Sequence, residues 1–338
     1  MALITGVMWD IDGPLITFNS WPDSYFTTGQ AYGWAVAAPS NVWADTAGTT
    51  PGVFDATIRR LDDERGDPWV GVTTGPTYRN TGGVYWLEFA QIDGRQLQIT
   101  VPEITNGTLM IAHKNAGVLS GNVTIPAGTY AYGRWDDHGI VGVLLIDRDL
   151  SQSERNQMRQ WFITERGAGS FSGVTSLTRY CHSQLLTGVD LFDTSSVTSF
   201  DTAFRSNLLA SVPLFDTSSG TNFDTFLYDN QLTTVPLFDT SSGTVFNNFL
   251  SENATLTTIP AGLFDDIKGT SFINAFFGCA LTQASVDNVL VSIAVAAAAN
   301  NLNNGTLNLD SGTNATPSAT GVAAKNDLVA RGWTVTTN

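Results

Sequence analysis

One phrase is written four times between residues 191 and 272: LFDTSSVTSF from Leu191, LFDTSSGTNF from Leu214, LFDTSSGTVF from Leu237 and LFDDIKGTSF from Leu263. The steps are 23, 23 and 26 residues, a period that belongs to chains coiled into stacked turns. Aligned on the leucine, Phe204, Leu227, Leu250 and Phe276 form one apolar column, and Asn207, Asn230, Asn253 and Cys279 form a second. Leu209, Leu232 and Leu281 form a third, with Leu256 displaced by one in the longer repeat, and Val212-Pro213, Val235-Pro236 and Ile259-Pro260 close the units. Each unit offers four or five large apolar side chains, worth about 1.5–3 kcal/mol apiece when buried. Ordering the backbone costs about 1–2 kcal/mol per residue, so no unit folds alone. Stacked units share one interior and need a cover at each end.

The asparagine or cysteine column, two residues before a leucine, resembles that of leucine-rich repeats, where it faces inward and satisfies the backbone of the buried turn. Phe192-Asp193-Thr194-Ser195-Ser196-Val197-Thr198 and Phe276-Phe277-Gly278-Cys279-Ala280-Leu281 resemble in particular the bacterial surface-antigen (BspA-like) repeat, over about residues 175–282. Thr202 and Thr225 stand where such repeats usually hold Met or Leu, which implies a flatter and more polar strand face. Asp193, Asp216, Asp239 and Asp265 also recur once per unit. They are either a ligand or cation stripe, or caps of the Thr-Ser-Ser turns through side chain to backbone hydrogen bonds, and the second is the simpler expectation.

Charged residues make up only 14% of the 338, against about 25% in ordinary soluble proteins, so Thr, Ser, Asn and Gly supply the wet surface. That composition fits extracellular or virion fibres better than cytosolic enzymes. The net charge is −15 with three lysines, Lys114, Lys268 and Lys325, which argues against nucleic acid as a partner because phosphates require a basic stripe. MALITGVMWDIDG has neither a basic nor an apolar signal region, and the run Val289–Ala299 is interrupted by Ser292 and too short to span a bilayer. The expectation is a soluble chain made in a host cytoplasm without a signal peptide. Cys181 and Cys279 lie at opposite ends of the repeats in inward columns and read as reduced core thiols, too far apart to bridge.

Three regions follow: residues 1–168, 169–282 and 283–338. In the first, Val84–Phe89, Leu97–Val101, Thr108–Ala112, Val123–Ile125 and Ile140–Ile146 read as short strands between Asp-Gly, Asn-Gly and Ala-Gly turns, the pattern of an antiparallel sandwich. Ser151 and Glu154 form a capping box opening a helix that carries Met158, Trp161, Phe162 and Glu165 on one face and stops at Gly167. Gly142 to Gly167 resembles the last strand and closing helix of laminin-G/concanavalin-like jelly rolls, and Val42–Pro51 with Asp62 is similar to a segment of tailed-phage structural proteins. In residues 168–190 a half repeat starts the stack, with Leu177, Cys181, Leu186 and Val189 in the repeat columns. After it, Val286, Val289, Leu290 and Ile293 form a helical stripe, Thr306–Leu309 a strand, Asp310–Pro317 a polar loop, Ser318–Arg331 a helix stopped by Gly332, and Trp333–Thr336 a last strand. This helix-strand-helix-strand unit is expected to cap the repeats, and its wording Ala284-Ser285-Val286-Asp287-Asn288-Val289-Leu290, with Leu307-Asn308-Leu309 and Arg331-Gly332-Trp333-Thr334-Val335, is similar to the ends of phage tail-fibre-like proteins. The fold class is thus mainly β with an α/β solenoid: an antiparallel jelly-roll sandwich, a short leucine-rich-repeat solenoid and a small α/β C-terminal cap.

Nothing reads as catalytic. Val7-Met8-Trp9-Asp10-Ile11-Asp12-Gly13 resembles the first motif of haloacid-dehalogenase-type phosphatases, but Pro14 replaces the usual Thr and no doubly wound pattern follows. Asp136-Asp137-His138-Gly139 is the one candidate calcium loop, with a plain surface turn the simpler reading; no other cofactor is expected. His113 and His182 are isolated, so three histidines in all make neither a zinc set nor a triad. Arg65-Gly66-Asp67 is a tripeptide that chance produces readily. Eight of nine tryptophans precede residue 162; sugar stacking is one use for them, core packing the commoner one.

Taken together, the resemblances imply a non-enzymatic structural protein of a tailed phage, a tail fibre or receptor-binding component. The partners implied are other virion proteins, further copies of itself (a trimer first) and a host surface glycan or protein. Alternatives are a capsid decoration protein or head fibre, and less favoured a glycan depolymerase, which requires paired carboxylates in a groove.

Overall fold

The structure is a computed structural model that describes residues 100–132 and 139–338 together with the backbone of the strands before them. The Asp10/Asp12 motif, Arg65-Gly66-Asp67, Asp136-Asp137-His138, most of Val42–Pro51 and the side chain of Glu165 lie outside the described residues.

Strands dominate and helices are few. Gly6–Met8 (β1) and Ile16–Phe18 (β2) pair with each other. Ala31–Ala35 (β3), Val42–Trp43 (β4), Arg60–Asp62 (β5), Pro68–Gly71 (β6), Thr77–Thr81 (β7), Val84–Glu88 (β8), Leu97–Val101 (β9), Ile104–His113 (β10), Gly117–Ile125 (β11), Gly128–Tyr132 (β12) and Ile140–Ile146 (β13) make two further antiparallel sheets. One runs β12-β9-β6-β5-β4; the other runs β11-β10-β13-β8-β7, with β3 also on β13. The hairpin β10–β11 turns at Lys114-Asn115-Ala116, where Gly117 takes φ +80°. Asn106-Gly107, expected to be a turn, instead lies inside β10 at a register shift. A Cβ on Gly107 would stand 2.7 Å from the Ile146 carbonyl of β13, so the glycine serves close strand approach rather than a reversal.

Period-two alternation sorts β10, β11 and β13 onto two cores. Met110, Ala112, Val118, Val141, Leu144 and Ile146 pack under the helix Gln152–Arg166 (α1), against Met158, Trp161 and Phe162. Leu109, Ile111, Leu119, Val123, Val143 and Leu145 face the other way, into a cluster that continues through the repeats. α1 forms where its capping box predicts: Glu154 N–H donates to Ser151 Oγ, Ser151 N–H donates to Glu154 Oε2 at 2.8 Å, and Gly167 closes it at φ +69°. Arg155 is buried beneath it, donating to the Leu150 carbonyl, Ser120 Oγ, Asn122 Oδ1 and Asp149 Oδ1.

The outer edge of β11 is not left open. Asn122 N–H donates to the Gly188 carbonyl, Thr187 N–H to the Asn122 carbonyl and Asp190 N–H to the Ser120 carbonyl, at 2.8–3.1 Å. Gly121 makes this possible, since a Cβ there would lie 2.4 Å from the Gly188 oxygen. An exposed row of strand donors and acceptors is thereby consumed by the first turn of the repeats.

Beyond residue 175 each repeat lies on the next. Parallel bridges link Ser176, Ser199, Asn222, Val245 and Ser271 in succession. Phe200, Phe223, Phe246 and Phe272 stack face to face inside, at centroid spacings of 5.3, 5.3 and 4.9 Å. The expectation of a strand face changes here: in this column neighbouring turns meet through single bridges, with one more bridge between Thr234 and Thr258, and only Ser271–Phe272 (β14) extends to two residues. Left-handed residues at Thr202, Phe204 and Ser206, and again at Thr225, Leu227 and Asp229, break the extended chain. Each such conformation costs about 1–2 kcal/mol in a non-glycine residue. The compensation is a donor turned toward the neighbouring turn: Thr202 N–H reaches the Asp224 carbonyl, Ser206 that of Tyr228, Thr225 that of Asn247 and Asp229 that of Ser251, at 2.8–2.9 Å.

The chain then closes the stack with the helix Gln283–Ala299 (α2), the strand Thr306–Leu309 (β15), the helix Ala319–Ala330 (α3) and the strand Thr334–Thr337 (β16). β14, β15 and β16 form a parallel sheet in that order. α2 buries Val286, Val289, Leu290 and Ile293 against the last turns. Its Ser285 and Ser292 hydroxyl oxygens accept the N–H groups of Ile259 and Phe264, each at 3.0 Å. No helix among the described residues is long and apolar enough to cross a membrane.

Candidate functional site

Asn207, Asn230 and Asn253 stand one above another in the interior, all buried. Each uses both ends of its amide across two turns. Asn230 Oδ1 accepts from Leu209 N–H at 3.1 Å, while its Nδ2 donates to the carbonyls of Phe204 and Leu227 at 3.0 and 3.1 Å. Asn253 repeats this with Leu232 N–H and the Leu227 and Leu250 carbonyls, and Asn207 with Leu186 N–H and the Cys181 and Phe204 carbonyls. One residue therefore satisfies three buried backbone groups that the coil leaves without a ladder partner.

Cys279, fourth in the column, donates through its Sγ to the Leu250 carbonyl at 3.3 Å. A thiol is a poor acceptor, and Leu256 N–H turns back to the Asn253 carbonyl at 2.9 Å instead, where the third unit carries its extra residues. Burial pushes the Cys279 thiol up to about 12, with Glu252 adding to the shift against a lowering hydrogen bond from Asn253. Both cysteines are buried.

The next asparagine comes from outside the repeats. Asn314 Oδ1 accepts from Leu281 N–H at 2.9 Å, and its Nδ2 donates to the Phe276 and Ser311 carbonyls at 3.2 and 3.0 Å. It sits in the stretch read from sequence as a polar loop, and nothing in the repeated phrase marks it. Its partners are the groups that a fifth turn's asparagine would hold.

The aspartates divide. Asp193 Oδ1 accepts from Ser195 N–H and Oγ–H at 3.0 and 2.7 Å, Asp216 Oδ1 from Ser218 N–H and Oγ–H at 3.1 and 2.6 Å, and Asp239 Oδ1 from Ser241 N–H at 2.9 Å. The Ser195 and Ser241 bonds hold the Asp193 and Asp239 carboxyls below the usual carboxylate range. Asp265 does not join them: Asp266 replaces the threonine and Ile267 and Lys268 the two serines, and burial followed by the charge of Asp266 moves its carboxyl upward. Each of the three capping carboxylates has its Oδ2 uncommitted among the described residues.

The hydroxyls between them are largely spent on the stack. Thr194 and Thr217 donate to the Asp216 and Asp239 carbonyls of the next turn, and Thr240 to that of Leu263. Thr198, Thr221 and Thr244 donate to the Thr175, Thr198 and Thr221 carbonyls at 2.9–3.0 Å, and Ser219 and Ser242 to those of Ser195 and Ser218. The groups left for an outside partner are the carboxylate Oδ2 atoms and a column that sequence reasoning used only for alignment. Leu191, Leu214 and Leu237 are 63%, 60% and 55% exposed. The alternation in Leu-Phe-Asp-Thr, with Phe and Thr turned inward, was the signal that places Leu and Asp on the outer side. Leu263 departs from the column: its turn rotates it inward beneath α2, leaving it 1% exposed.

Next to Leu191, Phe192 and Asp193 a cavity of about 270 Å³ opens between α1, β11 and the first turn, walled also by Arg159, Ile163 and Phe171. Phe171 and Phe192 stack at 4.2 Å, and Arg159 is held by Asn156 Oδ1 at 2.7 Å and by Asp190 at 3.5 Å. Among the described residues no group of three or more His, Cys, Asp or Glu is placed to hold a metal ion. No protein-family model, curated protein or solved structure matches the chain.

Proposed function

We propose that the chain is a non-enzymatic structural and adhesive component of a tailed bacterial virus, a tail fibre or receptor-binding part. In this reading the antiparallel strands before residue 147 are a jelly-roll sandwich that docks onto the particle or joins copies, residues 169–282 are a short solenoid of the leucine-rich kind, and residues 283–338 cap it. The observation that carries the reading is the register of the repeats: turn upon turn presents the same outward Leu and Asp at one spacing. Weak contacts repeated along such a surface and across copies sum to avidity. The sequence resemblances in the repeat, the segment closing at Gly167 and the C-terminal unit point the same way.

A density map of an intact particle, or a tag located on it, tests the assignment. Density on the tail accords with it, and density on the capsid favours a decoration protein or head fibre. Release of reducing ends from a host polysaccharide by the purified protein would overturn the non-enzymatic reading in favour of a depolymerase.

A further inference from the structure

We infer that the exposed column Leu191, Leu214 and Leu237, with the carboxylates of Asp193, Asp216 and Asp239 beside it, is a docking surface for an amphipathic α-helix of a partner protein, its apolar stripe flanked by lysine or arginine. The inference stands on turn geometry and charge and does not depend on where the chain sits in a particle.

Spacing selects the occupant. From turn to turn the Phe200, Phe223 and Phe246 rings are 5.3 Å apart, and so are Phe192 and Phe215, the residues next to Leu191 and Leu214. An α-helix has a pitch of about 5.4 Å, so a helix lying along the stack brings one apolar residue, at i, i+3 or i+4, and i+7, to each leucine in turn. An extended strand places same-face side chains nearly 7 Å apart and loses register within the three turns. Three leucines more than half exposed in one line are a continuous apolar feature of the kind that marks an interaction site.

Charge selects the flank. In each turn Oδ1 is tied to its serine and Oδ2 is left outward, which fixes three carboxylate oxygens in a row alongside the leucines. A second copy would set aspartates against aspartates in a chain of net charge −15, whereas a basic helix meets them with opposite charge. The cavity at Ile163, Phe171, Leu191 and Phe192 lies at one end of the column and has room for one large apolar side chain as an anchor. The chain already seats a helix on its own coil: α2 covers Leu263 and takes the Ile259 and Phe264 N–H groups on serines seven residues apart, two helical turns.

The test uses the full chain and a fluorescent 18-residue peptide with leucines at i, i+3/i+4 and i+7 and lysines on both flanks, followed by polarisation. The lysine peptide is expected to bind and to weaken with salt, with its glutamate-flanked twin at least about ten-fold weaker. Leu214→Lys should weaken it by about ten-fold or more, in keeping with a central interface residue. Asp216→Asn, which keeps an Oδ1 for the Ser218 cap and so leaves the turn intact, should weaken it by about two- to five-fold, the measure of an exposed ion pair. Equal binding of the two peptides, indifference to both variants, or absence of binding overturns the inference. So does a wild-type oligomer that Leu214→Lys dissociates, or a host polysaccharide that displaces the peptide, since either puts a different occupant on the stripe.

Discussion

An asparagine amide is neutral and both accepts and donates in one plane, and Asn230 uses it to hold one N–H and two principal carbonyls. Replacement by alanine strands the Leu209 N–H in an apolar interior, where an unsatisfied group costs about 1–3 kcal/mol, and leaves the Phe204 and Leu227 carbonyls with only their second donors, Asn207 and Asn253. Asn230→Ala is therefore expected to lower unfolding free energy by about 1–3 kcal/mol in urea titration, and Asn230→Asp to do no better, because a carboxylate cannot donate to the Phe204 and Leu227 carbonyls. Cys279 is expected to resist thiol reagents at pH 8 until the chain unfolds, with its thiol near 12 and buried; prompt labelling of the native protein would contradict that placement. The asparagine column was legible because a 23-residue period lines it up without any structure. Asn314 was not, because the ladder's next member arrives after the repeated phrase has ended, from a loop whose only mark is polarity.

At the scale of elements, α1 was readable from its caps to within a residue, since Ser151, Glu154 and Gly167 are local signals with local geometry. Glu154 is held down to about 2 from 4.5, chiefly by Arg148 at 2.6 Å and then by Ser151, against a desolvation that opposes them. A depressed carboxylate stabilises the fold above its unfolded value and ceases to do so as pH falls. The melting temperature should thus decline from about pH 4.5 down to pH 2 more steeply in the native protein than in Glu154→Gln, whose curve is flatter and lower at neutral pH. The partial exposure of the pair keeps the difference small. What sequence patterning could not give was the shape of the turns between bridges. Thr202 and Thr225 favour extended chain by propensity, yet both lie at left-handed φ, a tertiary outcome of the N–H bonds they make to Asp224 and Asn247 on the next turn. Asn106-Gly107 misled for the converse reason: turn-forming residues were recruited for close packing inside a strand.

For the whole molecule, the decisive feature is that the sheet and the repeats share one apolar interior and a backbone seam along β11. The sequence shows where the repeats begin, at the half unit with Leu177 and Leu186, but not that this half unit pairs with Asn122 and Ser120. Two stretches that complete each other's hydrogen bonds leave no composition shift to read. Gly121→Val would drive a side chain into the Gly188 carbonyl and Leu186, an overpacking that costs about 1–3 kcal/mol. Calorimetry of the variant is expected to show one transition at lower temperature, with sheet and repeats melting together; two separated transitions would show that the seam carries little.

The amide ladder also has a direction. Every asparagine fastens the leucine of the turn made before it, and the last of these fasteners, Asn314, reaches back to Leu281 from beyond the repeats. A nascent chain leaving the ribosome therefore always trails one unfinished turn, and the final one stays frayed until residue 314 has emerged. Translation arrested between residues 282 and 313 should yield a chain whose last coil is open to proteases while the coils before it are already resistant.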